Sequence, residues 1–320
     1  MSHAKNVAIV GATGSVGQFI VAELLKAGKH QVTAITRFES KAVIPDGVKV
    51  AKVNYDDHES LVAALRGQEV LIITMNVTAP PESQLKLIDA AAEAGVPWVL
   101  PNEWGCDQTN EQLANDIFLG PNSRKVRARI EELGKSSWIG IASNFWYEFS
   151  LGGSADRYGF DFNNRSVVFF DDGKQPINTT TWPQSGLAVA RLLALPINAD
   201  DGKTPALSNF KNKFVYVSSF CVSQKDMFDS VLRVTNTKAE DWKITHENSH
   251  ERYQSAVKAL QQGDRTGFGR AMYTRMFFPD GSGAYETTHG LQNEALGLPK
   301  EDFDEFTKRG IDRAKEGLTY

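Results

Sequence analysis

The sequence of 320 residues contains little cysteine: Cys106 and Cys221 are its two, far apart along the chain. This excludes a disulfide framework and predicts reduced thiols in a cytoplasmic protein. No apolar run approaches the roughly 20 residues that span a bilayer. The opening segment MSHAKNVAIVGATG also lacks the apolar stretch of a signal peptide. We therefore expect a cytoplasmic protein without a membrane-spanning segment.

An excess of charge of one sign is also missing. Lys and Arg number 35 against 39 Asp and Glu, so the formal net charge is −4. This balance gives no electrostatic reason to expect binding to nucleic acid or to an anionic membrane. We find no internal repeat, no low-complexity segment and no G-x-S-x-G elbow of a hydrolase. The remaining expectation is a small-molecule partner, with the chain a monomer or a homodimer.

The most informative stretch is residues 7–20, VAIVGATGSVGQFI. Four apolar residues predict a buried strand, and apolar residues at helical spacing follow the glycines. Strand, glycine turn and helix in that order form a dinucleotide site, in which the helix N-terminus faces the phosphates. The residues predicted to bind the pyrophosphate are Gly11, Thr13, Gly14, Ser15, Val16 and Gly17. Because the spacing is G-x-x-G-x-x-G, a glycine-rich turn without a ligand remains the alternative.

The predicted second strand, residues 30–37, ends in Arg37, with Lys41 close behind. NAD-specific sites carry an acidic residue at this place, where it binds the ribose hydroxyls. A guanidinium instead suits a 2′-phosphate, to which it donates two charge-assisted hydrogen bonds. Arg37 therefore favours NADP(H) over NAD(H), and a solvated loop arginine is the alternative.

Further strands are predicted at 48–55, 69–76, 97–100 and 137–143, with helices between most of them. This alternation predicts an α/β fold, a Rossmann doubly wound parallel sheet over residues 1–150. The loop from Asn76 to Pro81 lies at the carboxyl edge of this sheet, where such folds bind ligands, and Met75 and Asn76 are predicted to contact the cofactor. Residues 151–320 are expected to form a smaller C-terminal α+β substrate lobe, which is not autonomous and is partly interleaved with the sheet. Its predicted elements are a hairpin at 166–182 with an Asp172-Gly173 turn, a helix at 185–195, a strand at 213–220 and a helix at 223–236.

The segment His246 to His250 matches the H-E-x-x-H zinc pattern, which requires both histidines on one face of one helix. Asn248 is a favoured N-cap, and with Glu251 it resembles a capping box. A helix that begins between the histidines would break the zinc geometry, so we predict no metal site.

Four segments together resemble the NmrA-like and isoflavone-reductase-like branch of the atypical short-chain dehydrogenases. They are GATGSVGQFI, ITR at the end of the second strand, PNEWGCD after the fifth, and RKVRARIEE before the sixth. The resemblance implies a Rossmann sheet with a small C-terminal lobe. It also implies an NADPH-dependent reductase of phenylpropanoid-derived compounds.

The same resemblance implies roles for single residues. The Tyr-x-x-x-Lys pair of short-chain dehydrogenases is missing, since Pro121 stands four residues before Lys125. A lone lysine in this helix, here Lys125, is then the general acid or base and a cofactor contact. If it is partly buried beside arginines, it would release its proton more readily. The alternative is a surface lysine that pairs with Glu131 or Glu132.

In the loop after the fifth strand, Asn102 and Trp104 stand where the family usually has Ser and Phe. Asn102 keeps a hydrogen-bonding group near the nicotinamide, and Trp104 makes the wall of the site bulkier than a phenylalanine would. The residues predicted to line the substrate pocket are Glu103, Trp104, Asn144, Phe145, Trp146 and Tyr147. Packing beneath the lobe is the alternative role for the last four.

Two functions are consistent with these features. One is an NADPH-dependent reductase that acts on an aromatic or polyphenol-like small molecule. The other is a redox sensor of the NmrA type, which binds NADP(H) without turnover and regulates a protein partner. Lys125 and the aromatic residues near Trp104 and Trp146 favour the reductase.

Overall fold

The first half of the chain alternates between strands and helices, as the sequence pattern predicts. A computed structural model describes residues 2–76, 79–199 and 204–317. The elements of this half are β1 (Asn6–Val10), α1 (Gly17–Ala27), β2 (Gln31–Arg37), β3 (Lys49–Val53), α2 (His58–Leu65), β4 (Val70–Ile73), α3 (Pro81–Ala94), β5 (Trp98–Leu100), α4 (Glu111–Asp116), α5 (Gly120–Leu133) and β6 (Ser137–Ala142). Helix α4 was not predicted.

The second half is less regular, and its strands are short. Its elements are β7 (Phe145–Trp146), α6 (Tyr147–Leu151), β8 (Phe160–Asp161), β9 (Ser166–Phe170), β10 (Ile177–Thr180), α7 (Trp182–Leu193), β11 (Lys213–Tyr216), β12 (Phe220–Val222), α8 (Gln224–Thr235), β13 (Lys243–Glu247), α9 (Ser249–Gln261), α10 (Thr266–Met276), α11 (Glu286–His289) and α12 (Phe303–Lys315). Helix α7 begins three residues earlier than predicted, because the Thr181 side chain caps it by accepting a hydrogen bond from Gln184 N–H.

Seven parallel strands form the central sheet in the order β11-β6-β5-β4-β1-β2-β3. Ile9 of β1 lies opposite Ala34 of β2 on one side and Ile72 of β4 on the other. Strand β4 is apolar along its whole length, because helices cover both faces of the sheet. The predicted Rossmann doubly wound sheet is confirmed.

Hydrophobic clusters fill both faces of this sheet. Helices α1 and α7 cover one face with buried residues that include Ile20, Leu24, Val189 and Leu193. Helices α2, α3 and α5 cover the other face with Leu61, Leu65, Leu87 and Ile130, among others. A third cluster fills the C-terminal lobe and is rich in aromatic residues. Truncating one such core leucine to alanine costs about 2–5 kcal/mol.

The predicted hairpin at 166–182 is wrong, although both of its strands exist. Strand β9 pairs with β8 and β13, whereas β10 pairs with β7 and β12. The backbone of the intervening turn is hydrogen-bonded elsewhere: Asp171 N–H donates to Glu247 O, and Gly173 O accepts from Lys225 N–H. These bonds to the end of β13 and the start of α8 direct the two strands into different sheets.

The chain returns to the central sheet after entering the lobe. Strand β11 joins the sheet beside β6, and α7 lies so close to α1 that a Cβ on Gly186 would come within 2.5 Å of the Phe19 backbone. Because all seven strands are parallel, their carboxyl ends meet at one edge of the sheet, where Tyr285 of the C-terminal lobe contacts the ends of β6 and β11. No helix in the described part of the chain has the length and apolar character needed to cross a membrane.

Candidate functional site

The turn from β1 into α1 is closed by backbone atoms that leave no room for a side chain. Gly11 has a φ of +81°, and a Cβ there would lie 2.2 Å from the carbonyl oxygen of Thr74. A Cβ on Gly17 would lie 2.0 Å from the carbonyl oxygen of Gly11. Gly14 N–H donates to Gly11 O over 2.9 Å. Because backbone atoms cannot move aside cheaply, the corner requires glycine and has the close packing of a dinucleotide-binding turn.

Thr74, just past the end of β4, fixes this corner and was not found from the sequence. Its buried hydroxyl lies 2.8 Å from Val10 O and 3.1 Å from Gly11 O. The sequence feature that could have identified Thr74 is a polar threonine at the end of the apolar run VLIIT. The residue ties the glycine turn to the neighbouring strand, which holds the turn in position.

The first turn of α1 has the properties of an anion site. Within the described residues, no side chain caps this N-terminus, and no acidic residue occupies its first turn. Thr13 and Ser15 are exposed, whereas the Val16 side chain is buried in the core, so Val16 offers only its backbone. Uncapped N–H groups and the helix dipole attract phosphate. These residues fit the pyrophosphate of a dinucleotide.

Arg37 is the last residue of β2 and is exposed at the same edge of the sheet. Among the described residues neither Arg37 nor Lys41, which is also exposed, forms an ion pair. Burial raises the pKa of nearby Tyr55 to about 12, and the positive charge of Arg37 opposes that rise. Phe38, with 54% of its surface exposed, lies next to Arg37. The end of β2 thus presents two cations and an aromatic ring to solvent.

The ends of β4 and β5 are joined by Asn102. Its side-chain amide donates to Met75 O over 3.0 Å, and its backbone N–H donates to the Gln84 side chain over 2.7 Å. Asn76 is exposed beside them, and its carbonyl accepts from Ala79 N–H. Val77 and Thr78 of the predicted loop lie outside the described residues. The structure therefore brings Met75, Asn76 and Asn102 together at the carboxyl edge.

Glu103 is buried and forms a close ion pair with Arg127 of α5. Burial raises the pKa of this carboxyl to about 7, against the opposing effect of the guanidinium. Arg127 also lies over the rings of Trp138 and Phe214, at 5.3 and 5.2 Å from their centroids. Glu103 thus fixes the loop after β5 to α5.

Trp104 and Asn144 lie beneath the carboxyl edge. The Trp104 indole is buried and donates to Ile73 O over 2.8 Å. Asn144 is buried with a φ of +52°, and its side chain donates to Gly283 O over 3.3 Å. Both side chains connect the end of a central strand to a neighbouring segment.

The aromatic run after β6 divides into two environments. Phe145 and Trp146 are half-buried; Phe145 stacks on Tyr273 with ring centroids 3.9 Å apart. Tyr147 is 0% exposed, and its hydroxyl lies 2.7 Å from the Thr307 hydroxyl. Tyr147 therefore belongs to the lobe core, whereas parts of Phe145 and Trp146 reach solvent.

Lys125 is exposed, so the condition of partial burial beside arginines is not met in this structure. It lines a groove of about 530 Å³ between α3 and α5, together with Asp89 and Arg129. Two residues along an α-helix turn by roughly 200°, so Lys125 and Arg127 lie on opposite faces of α5. The structure does not bring Lys125 to the ion pair that Arg127 forms at the carboxyl edge.

The H-E-x-x-H segment has the geometry that the capping residues predict. Strand β13 ends at Glu247, and α9 begins at Ser249. The Asn248 side chain caps α9 by accepting from Glu251 N–H over 3.0 Å. The helix thus starts between the two histidines. In the described ranges no three His, Cys, Asp or Glu side chains converge as metal ligands do.

Sequence reasoning also missed a cluster formed by Asp107, Tyr216 and His289. Asp107, in the loop after β5, accepts from the Tyr216 hydroxyl over 2.9 Å and lies 2.9 Å from His289 Nε2. Asp107 and His289 are 182 positions apart in the sequence, and no motif connects them. Folding of the C-terminal lobe onto the sheet brings them together.

Comparison with known proteins supports this architecture. Residues 3–151 match the model of the NmrA-like family. The oxidoreductase aprR of Aspergillus flavus is 27% identical over 303 residues, which cover 93% of this chain and 96% of the relative.

Two solved structures share the fold over nearly the whole chain. Isoflavone reductase aligns with a TM-score of 0.75 and 20% identity, over 96% of this chain and 99% of its own. The protein AtPrR2, solved with NADP+ and (+)pinoresinol, aligns with a TM-score of 0.72 and 19% identity, over 96% and 99% of the two chains. At such identities the likeness establishes the fold alone.

Proposed function

Because residues 3–151 of this chain belong to the NmrA-like family, we propose that it is an NADPH-dependent reductase of a small aromatic or polyphenol-like molecule. The observation that carries the proposal is the glycine corner packed on Thr74, with Arg37 exposed at the end of the next strand. When bound, NADPH supplies a hydride. The chain's own residues hold the cofactor, shape the substrate pocket and move a proton.

The cofactor contacts follow from the positions of the residues. The backbone N–H groups of Thr13, Ser15, Val16 and Gly17 bind the pyrophosphate at the uncapped N-terminus of α1, where Gly14 lets the backbone come close. Arg37 and Lys41, which form no ion pair among the described residues, bind the 2′-phosphate. Asn102 lies further along the carboxyl edge, beside Met75 and Asn76, where the rest of the dinucleotide would extend.

The substrate pocket is proposed at the carboxyl ends of β5 and β6. Phe145 and Trp146 are half-buried there, and aromatic rings of this kind bind planar apolar molecules. The similar fold of AtPrR2, solved with NADP+ and (+)pinoresinol, supports the choice of cofactor and of an aromatic substrate.

The family resemblance assigns the proton transfer to Lys125. Its exposed position in the groove with Asp89 weighs against that role, because a proton-transfer residue must lie within hydrogen-bond reach of the substrate. Lys125 stays a candidate whose role a substitution can decide.

The test has a binding arm and a turnover arm. Calorimetry should show NADPH binding more tightly than NADH. Loss of nicotinamide absorbance should then reveal turnover with at least one member of a panel of quinones, enones and benzylic ethers. Tight NADPH binding without turnover on any member would favour a redox sensor that regulates a protein partner. No binding of NADPH or NADP+ would refute both functions.

A further inference from the structure

His289 is held in one orientation by groups from two other parts of the chain. Its Nε2 lies 2.9 Å from Oδ2 of Asp107, and its ring stacks on Tyr216 with centroids 4.3 Å apart and planes 10° from parallel. The Tyr216 hydroxyl donates to the other carboxylate oxygen of Asp107 over 2.9 Å. Thr109 donates to that same oxygen from its backbone N–H and its hydroxyl. Both carboxylate oxygens of Asp107 thus accept hydrogen bonds, and the carboxylate in turn fixes the orientation of the His289 imidazole.

These bonds determine which ring nitrogen of His289 can exchange a proton. Burial alone would raise the pKa of Asp107, but the hydrogen bonds from Thr109, Tyr216 and His289 together lower it below its usual value. Asp107 is therefore ionised at neutral pH and can only accept, so Nε2 of His289 carries a proton. Within the described residues Nδ1 has no hydrogen-bond partner, and 29% of the side chain is exposed. Nδ1 is the nitrogen that remains for an external molecule.

The cluster lies at the ligand-binding edge of the sheet. Tyr216 is the last residue of β11, and Asp107 lies in the loop after β5. The segment that leads to His289 is fastened to the ends of β6 and β11, because the Tyr285 hydroxyl lies 3.1 Å from Ala142 O and 2.6 Å from Val217 O. His289 is therefore carried by the lobe to the edge where open α/β folds bind their ligands.

A surface pair in the same protein shows what is unusual here. His58 Nε2 lies 2.8 Å from a carboxylate oxygen of Glu93, but these two side chains are 46% and 53% exposed. The Asp107 side chain is only 8% exposed. A buried carboxylate that holds the imidazole in one tautomer is the arrangement that histidine acid–base catalysts use.

We propose that His289 is the residue that exchanges a proton with the substrate, and that Asp107 and Tyr216 are its positioning residues. This inference rests on the proposed reductase function. When a hydride adds to a carbonyl or quinone, the π electron pair moves to the oxygen, and the proton on Nδ1 of the imidazolium bonds to that oxygen. The N–H electron pair stays on Nδ1, which leaves a neutral imidazole that regains a proton from water. In the reverse direction neutral Nδ1 accepts the proton.

The charged and titratable groups around His289 come from four elements. Asp107 faces it from the loop after β5, Tyr216 from β11, and Glu286 precedes it on α11. Arg127 of α5 acts on Tyr216 rather than on the imidazole directly. The pH dependence of the reaction should therefore respond first to changes at His289 and Asp107.

The main experiment compares His289→Gln with the matched control His58→Gln, using a panel quinone that the wild type reduces. We expect kcat to fall about 100-fold or more in His289→Gln, as for loss of a general acid. The decline of wild-type kcat on raising the pH should also change or vanish. Calorimetric NADPH affinity should stay the same in both variants, and His58→Gln should keep the wild-type kcat and pH profile.

A second measurement needs no turnover. In protein labelled with ¹⁵N-histidine and free of cofactor, NMR should show His289 with the proton on Nε2, and Asp107→Asn should abolish that preference. Addition of catechol should shift the Nδ1 resonance of His289 but not that of His58. A fixed tautomer lost in Asp107→Asn, together with the catechol shift, supports the inference.

The outcomes separate the two proposals. A wild type that reduces a quinone, with His289→Gln equal to it at every pH, overturns the inference and leaves the reductase function intact. A mixed tautomer in the wild type, or no response to catechol, also overturns it. No turnover by the wild type on any panel member removes the reductase function and the inference with it.

Discussion

Thr74 and Gly11 hold each other in position at the glycine turn between β1 and α1. The Thr74 hydroxyl lies 3.1 Å from the carbonyl oxygen of Gly11, and a Cβ on Gly11 would lie 2.2 Å from the carbonyl oxygen of Thr74. Thr74 directly follows the fourth strand, and Gly11 begins the glycine turn. NADPH affinity should therefore depend on Thr74, although Thr74 is not among the residues predicted to bind the phosphates of the cofactor.

Thr74→Val tests this dependence, because valine keeps the shape of the side chain and removes its hydroxyl. Loss of the buried hydrogen bonds should lower the free energy of unfolding by about 1–2 kcal/mol. It should also weaken NADPH several-fold through a looser turn. Chemical denaturation and calorimetry measure the two effects. Unchanged NADPH affinity would mean that the turn holds its shape without Thr74.

Gly11→Ala should destabilise the protein far more than Gly28→Ala. Both glycines have positive φ, at +81° and +64°, but a Cβ on Gly28 would meet nothing within 4 Å. The control should therefore cost only the left-handed strain, about 1 kcal/mol. Gly11→Ala adds the clash with Thr74 and should cost at least about 2 kcal/mol more. Equal melting temperatures for the two variants would contradict the packing argument.

Arg37→Gln should change cofactor preference rather than fold. A lost charge-assisted interaction of about 1.5–3 kcal/mol predicts that NADPH affinity falls about 10- to 100-fold, whereas NADH affinity stays nearly the same. Lys49→Gln is the matched control, since Lys49 begins β3 at the opposite end of the strand pair. Calorimetry with NADPH and with NADH measures the affinity of each variant for the two cofactors. Equal weakening of NADPH and NADH would exclude contact between Arg37 and a 2′-phosphate.

The sequence was most informative where local patterns determine structure. The strand, glycine turn and helix of residues 7–20 needed only apolar periodicity and glycine spacing, and the capping of α9 by Asn248 needed one residue. The hairpin prediction failed because the partners of β9 and β10, strands β13 and β12, lie far along the chain. The pairing of Asp107 with His289 is invisible for the same reason, since tertiary contacts alone create it.

Glu148 should make stability depend on pH. It is buried, and burial raises its pKa to about 7, with Glu301 adding to the rise and Trp182 N–H opposing it. Between pH 4.5, the ordinary pKa of a glutamate, and about pH 7 the folded state holds a proton that the unfolded state has lost. Stability therefore falls as pH rises through that window, by an amount on the order of 3 kcal/mol at most.

Glu148→Gln removes this titration while keeping the oxygen that accepts from Trp182 N–H. The variant should match the wild type near pH 5 and exceed it in unfolding free energy near pH 8, measured by urea denaturation. Glu59→Gln, at an exposed position on α2, serves as the control and should follow the wild type at both pH values. A Glu148→Gln variant that is less stable than the wild type at pH 8 would refute the assignment.

Lys125→Met decides between the two candidates for proton transfer. Lys125 lies in the groove between α3 and α5 with Asp89, on the opposite face of α5 from Arg127. Methionine keeps the apolar stem and removes the charge. We expect kcat within about threefold of the wild type and unchanged NADPH affinity, because Asp89 is paired with Arg129 and an exposed charge contributes little. Lys135→Met, beyond the end of the same helix, is the control. If kcat instead falls 100-fold while NADPH binds normally, Lys125 is the acid–base residue, and the Lys125 ammonium must leave the groove to reach the substrate.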